Sequence, residues 1–183
     1  MLLMAALVLG TSDLTAYRTW SCVTPQAVDM APAIAISCIG PASWDSSEKN
    51  PHIRKRFKVW VNPVGRPLMG RPSFREVKPG VWKEDPIRFP EGTTIVKEKY
   101  DATTSWETPG KGSPRPLPAR PELLTIMIKG KQGSKPKTGD WSYYVADPGL
   151  KRLDSSQEAR CASCHAARPQ FDFTFQNYGS LTH

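Results

Sequence analysis

At 183 residues, with 39% hydrophobic residues and a net charge of +8, the chain is long enough for one domain with its own apolar core and short for two. Its 18 prolines and 13 glycines interrupt the sequence too often for a helical bundle and favour strands, turns and long loops.

The chain opens on MLLMAALVLG, an apolar run like the core of a secretory leader but with no Lys or Arg before it. The run is too short to span a bilayer as a helix. Residues 1–16 are therefore expected to be a signal-peptide remnant, and residues 17–183 a single domain. The expected location is periplasmic or otherwise exported, with membrane association left open. Residues 11–50 are irregular, broken at Pro25, Pro32 and Pro41. In an oxidising compartment Cys22 and Cys38 could pair across their 15-residue gap. Next comes a basic run, Arg54, Lys55, Arg56 and Lys58, with Phe57 and Trp60 interleaved. In a cytosolic chain it would suggest nucleic acid. In an exported one no nucleic-acid partner is expected, and the run reads as a solvated strand edge or a docking face for an acidic redox partner.

Alternation of Phe57, Val59 and Val61 with Lys58 and Trp60 predicts a strand over 57–61, ended by Pro63. Residues 63–92 hold prolines and glycines at spacings that leave no room for a regular helix and read as a long connection. A second strand is expected over 93–100, with Ile95, Lys97 and Lys99 on one face and Val96, Glu98 and Tyr100 on the other. Residues 101–121 are a Pro-rich loop. A third strand over 123–129 is apolar on both faces and so central in a sheet. A fourth over 141–146 ends at the turn signal Asp147-Pro148-Gly149. Asp154 or Ser155 can then cap a helix, with Glu158 at capping-box distance from Ser155, running to Ala167 before Pro169.

That helix carries Cys161-Ala162-Ser163-Cys164-His165. Two thiols three residues apart on one turn can each add to a vinyl group of one haem, while the adjacent imidazole reaches the iron below the same ring. The spacing assigns one covalently bound c-type haem to Cys161 and Cys164, with His165 as axial iron ligand. Three other readings of the pair are half of a zinc site, which would need a second ligand pair, a thioredoxin-like motif, which would follow a strand in a βαβ unit, and a structural disulfide. His52, Met69, Met127 and His183 are the candidates for the opposite face of the iron, and each has a plain structural alternative. The architecture expected is α+β: a predominantly antiparallel sheet of about four to five strands with a C-terminal haem-bearing helix.

The strings Phe89-Pro90-Glu91-Gly92-Thr93-Thr94-Ile95-Val96-Lys97-Glu98-Lys99-Tyr100, Leu124-Thr125-Ile126-Met127-Ile128-Lys129, Gly139-Asp140-Trp141, the haem run and Phe171-Asp172-Phe173-Thr174-Phe175 resemble the cytochrome P-460 family in order and spacing. A weaker match includes Pro51-His52 and Lys58-Val59-Trp60-Val61-Asn62. The resemblance implies a mostly antiparallel β fold with a five-coordinate haem, exported and often a homodimer, acting on small nitrogen species. In the founding activity hydroxylamine is oxidised at a haem cross-linked through a lysine. The related cytochromes c′-beta lack the cross-link and bind nitric oxide in an apolar distal pocket.

By this resemblance Lys97 is the candidate cross-linking lysine and Lys99 the second choice. Glu98 or Glu122 would move protons. Phe74, Phe89 and Phe173 are candidates to line an apolar pocket. The expected partners are a small nitrogen-containing ligand and an exported redox protein. The function expected is oxidation of hydroxylamine or nitric oxide at an open iron. The alternatives are nitric-oxide binding without turnover and an electron-transfer or accessory haem subunit of a larger complex.

Overall fold

The computed structural model describes residues 13–30, 51–52, 55–101, 117–151 and 153–175. Its main sheet contains seven strands. β1 (Ser21–Cys22) and β2 (Val28–Asp29) both pair with β3 (Lys55–Val61). The sheet continues through β6 (Thr94–Asp101), β7 (Leu123–Lys129) and β8 (Trp141–Ala146) to β9 (Leu153–Asp154). Every pairing is antiparallel. Between β3 and β6 stands a separate hairpin, β4 (Phe74–Lys78) with β5 (Val81–Glu84). The one α-helix among the described residues, α1 (Glu158–His165), follows β9 and packs against β8.

The four strands expected from alternation are the four long strands of the sheet. The expected sheet of about four to five strands falls short of the seven-stranded sheet and separate hairpin found among the described residues. Three of the additional strands have only two residues each, too few to show a period. The other two form the hairpin inside the segment read as a connection. Nearly all its residues are exposed, so no buried face imposes alternation. The helix is also shorter than the expected span to Ala167, and the Ser155–Glu158 capping box is not formed. Glu158 instead accepts hydrogen bonds from Lys135 Nζ at 2.6 Å and Tyr143 N at 3.4 Å, which fastens the helix to β8.

Strand alternation divides the core between two faces. Phe57, Val59, Val61, Ile95, Met127, Trp141 and Tyr143 point to the face that α1 covers, where Met69 and Phe89 join them. Val96, Leu124, Ile126 and Ala146 point to the other. There a 3₁₀ turn, Leu14–Thr19, closes the core with Tyr17. Asp13 caps this turn, its side chain accepting from Thr15 N. The expected leader boundary at residue 16 thus falls within a folded turn, and residues 1–12 lie outside the described residues. No helix among the described residues is long and apolar enough to cross a membrane.

β3 has partners on both sides and is not a sheet edge, so the expected solvated-edge role of its basic run is not what the structure shows. Lys55 points inward and pairs with Glu122, and Arg56 pairs with Asp29. Arg54 lies outside the described residues.

Candidate functional site

The helix-covered face gathers a set of basic side chains that its apolar surroundings do not explain. On β6, Lys97 and Lys99 point to this face, at 7% and 0% exposure. Lys99 stands opposite Phe57 in the β3 register, and Lys97 opposite Val59. Both amines lie over the Phe57 ring, Lys97 Nζ 5.6 Å and Lys99 Nζ 5.0 Å from its centre. Such contacts favour a cation. Burial works against it: the Lys97 amine is pushed down to about 8. Lys99 falls well below the ordinary lysine range through burial and then the charges of Lys97 and Lys55. Its Nζ lies 3.1 Å from Nδ1 of His52. Burial, followed by Lys99 and Lys97, likewise holds His52 well below its ordinary value.

His165, the last residue of α1, is buried at the edge of this group. Its Nδ1 lies 2.6 Å from the backbone oxygen of Phe173. Because a carbonyl can only accept, Nδ1 carries the proton and Nε2 carries the lone pair. The ring packs against Tyr143, with centres 4.9 Å apart, and edge-on against Phe175 at 5.0 Å. Burial, and after it the Lys97 charge, lowers its pKa to about 3, so it is neutral at physiological pH. A neutral imidazole with Nδ1–H on a carbonyl and Nε2 free is the form that ligates a metal.

The cysteines of the motif fit a haem with one condition. Cys161 is a free thiol packed against the core of this face, and burial raises its pKa. Cys164 is disulfide-bonded, so reduction must release its thiol before a thioether can form there. Cys22 is free and donates to the Thr24 carbonyl at 3.3 Å. The pairing expected for it with Cys38 is therefore absent, and Cys38 lies outside the described residues. Among the described residues no three His, Cys, Asp or Glu side chains come together as a metal site.

The structure separates the remaining candidates. Glu98 lies between Lys97 and Lys99 in sequence but faces the opposite side of the sheet. There it accepts from Tyr17 Oη and Arg18 Nε, each at 2.7 Å, from Tyr100 Oη at 2.9 Å and from Trp60 Nε1 at 3.0 Å. Burial alone would raise its pKa, but these donors together hold it below the usual carboxylate value. Glu122 is on the helix-covered side. Its carboxylate bonds Lys55 Nζ, and its backbone N–H donates to Lys99 O at 2.7 Å.

Of the pocket aromatics, Phe89 and Phe173 belong to the core of this face, whereas Phe74 is 47% exposed on the hairpin. Met69 and Met127 are core residues there, and His183 lies outside the described residues. The sequence reading did not single out Phe57 or Lys55 for the site. The alternation expected over 57–61, extended back by two residues, puts Lys55 on the face of Phe57.

A family model described as Cytochrome P460 matches residues 74–176. The matched span runs from β4 through β6 and its lysines to the haem run and Phe175. It leaves out β3, and with it Phe57 and Lys55. No curated protein matches the chain.

Proposed function

The chain belongs to the cytochrome P460 family, and on that premise we propose that it is an exported monohaem c-type cytochrome that binds and oxidises small nitrogen species, hydroxylamine or nitric oxide. The observation that carries this reading is His165: buried, neutral and oriented through Nδ1, with Nε2 left for iron. Cys161 and Cys164 would hold the ring covalently, and His165 would ligate its iron. A bound haem supplies the redox change and the coordination position for the nitrogen ligand.

The chain's own residues would shape that position. Phe57, Phe89 and Phe173 exclude water from the helix-covered face. Lys97, pushed down to about 8 by burial, gives up its proton more readily than an ordinary lysine, which supplies the neutral amine that a covalent link to the ring requires. Of the two acids, Glu122 is better placed to relay protons because it shares a face with Lys99 through Lys55, whereas Glu98 is committed to four donors on the far side. The same placement of Glu98 favours a second reading, nitric-oxide capture without turnover. On that reading Glu98 takes no part in ligand chemistry.

Mass spectrometry of tryptic haem peptides from the holoprotein tests these readings. The enzyme reading expects a species joining the Lys97 peptide to the Cys161–His165 peptide, with a far-red ferrous absorption band. Haem on the cysteine peptide alone, with an ordinary high-spin spectrum and no hydroxylamine oxidation, supports capture instead. A protein without covalent haem overturns both. Lys97→Leu is expected to return an ordinary c-type spectrum.

A further inference from the structure

The oxygen that orients His165 sits in an unusual stretch of backbone. Asp172 and Phe173 are consecutive non-glycine residues with positive φ, 51° and 61°. Each is disfavoured by the contact of its Cβ with the backbone, and the pair persists only where surrounding contacts over-determine it. The contacts here converge on Asp172. Its Oδ2 accepts from Lys129 Nζ at 2.6 Å and from Phe89 N at 2.8 Å, and its backbone oxygen accepts from Trp141 Nε1 at 2.8 Å. Lys129 also donates to Gly139 O at 2.5 Å. A Cβ at Gly139 would lie 2.4 Å from the Phe173 ring, so only glycine admits that ring. Lys129 is 8% exposed, Asp172 2% and Trp141 0%. A buried ion pair is an expensive way to hold a turn that has no other task.

We propose that Lys129, Asp172 and Trp141 are positioning residues for the axial ligand, fixing the Phe173 carbonyl against Nδ1 of His165 and thereby setting the electron donation of the imidazole to iron. The inference rests on the reading of His165 as the iron ligand. A carbonyl held at 2.6 Å pulls on the Nδ1 proton and makes Nε2 more basic, which favours ferric over ferrous iron. Loosening the turn lengthens that bond and reverses the bias. Groups that orient a ligating histidine typically change metal-site properties ten- to a hundredfold when removed; Lys129 acts one residue further out, so about tenfold is expected.

The test compares purified holoproteins: wild type, Lys129→Met, Lys129→Arg and Trp141→Phe. Haem staining of wild type on a denaturing gel comes first, and absence of covalent haem there overturns the ligand reading itself. With haem present, ferrous resonance Raman spectra and the midpoint potential are measured. The Fe–His stretch of Lys129→Met should fall, and the ferric/ferrous equilibrium should move about tenfold toward ferrous, ~59 mV for one electron. Lys129→Arg should restore both. Trp141→Phe keeps an aromatic ring but removes the indole N–H together with part of the indole, so it should move both readouts the same way by less, and it stands in if Lys129→Met does not fold. An unchanged Fe–His band and potential in a haem-loaded Lys129→Met, or in Trp141→Phe where that variant stands in, overturns the proposal.

Discussion

The two faces of strand β6 solve opposite problems with neighbouring residues. On one face Glu98 is a buried charge with its compensation complete, one carboxylate receiving four donors from Tyr17, Arg18, Trp60 and Tyr100. On the other, Lys97 and Lys99 are buried cations whose surroundings push their pKa values down. A satisfied buried charge specifies structure, here the docking of the Leu14–Thr19 turn. A buried charge driven toward neutrality is a reactive group held at a cost in stability, and such groups cluster where chemistry is done. Helix α1 delivers Cys161 and His165 to the lysine face, which is why the functional reading belongs there.

The largest expected effect breaks the satisfied face. Glu98→Ala leaves the buried Tyr17 and Tyr100 hydroxyls, the part-buried Trp60 N–H and the exposed Arg18 guanidinium without their acceptor and should cost about 3–5 kcal/mol, read as a lowered urea midpoint. Loss below 1 kcal/mol would mean that the four donors are not what holds the turn. The same carboxylate sets the acid limb. Its pKa is lower folded than unfolded, so its stabilisation is complete above the unfolded value near 4.5 and fades as pH falls through the folded value. Glu98→Gln should flatten that limb in pH-dependent unfolding, and an unchanged limb would assign acid sensitivity to other carboxylates.

On the lysine face the sign should reverse. Lys99→Met removes a fully buried amine while nearly keeping its length and should stabilise the chain by about 1–2 kcal/mol. Thermal unfolding of the two proteins compares them directly. A Lys99→Met protein less stable than wild type would show that the amine's contact with His52 outweighs its desolvation, and that the two faces are equally structural.

Much of this contrast was legible from alternation. That Lys97 and Lys99 share a face and Glu98 takes the other follows from a period of two. The role of each face was not legible. Tyr17 and Arg18 lie 81 and 80 residues from Glu98, and nothing local in an irregular N-terminal stretch announces that they return to it. The buried state of Lys55 was hidden for a related reason. In sequence it belongs to a dense basic run, but β1 and β2 add to β3 and turn an apparent edge into an interior strand. The hairpin of β4 and β5 was missed because solvent surrounds it and no apolar face marks its period.

The smallest expected effect makes the sharpest use of the comparison. Trp60 lies on the Glu98 face of β3, where its ring packs with Tyr17 at 6.2 Å and its Nε1 donates to Glu98 Oε2 at 3.0 Å. Trp60→Phe keeps an aromatic ring against Tyr17 and removes that single donor. Three donors remain on the carboxylate, so the loss should be that of one hydrogen bond, about 0.5–1.5 kcal/mol. Because Trp60 points away from Phe57, Lys97 and His165, haem loading and the absorption spectrum of the holoprotein should not change. A spectral shift in Trp60→Phe would show that the faces communicate through β3, and that Glu98 influences the lysine side despite pointing away from it.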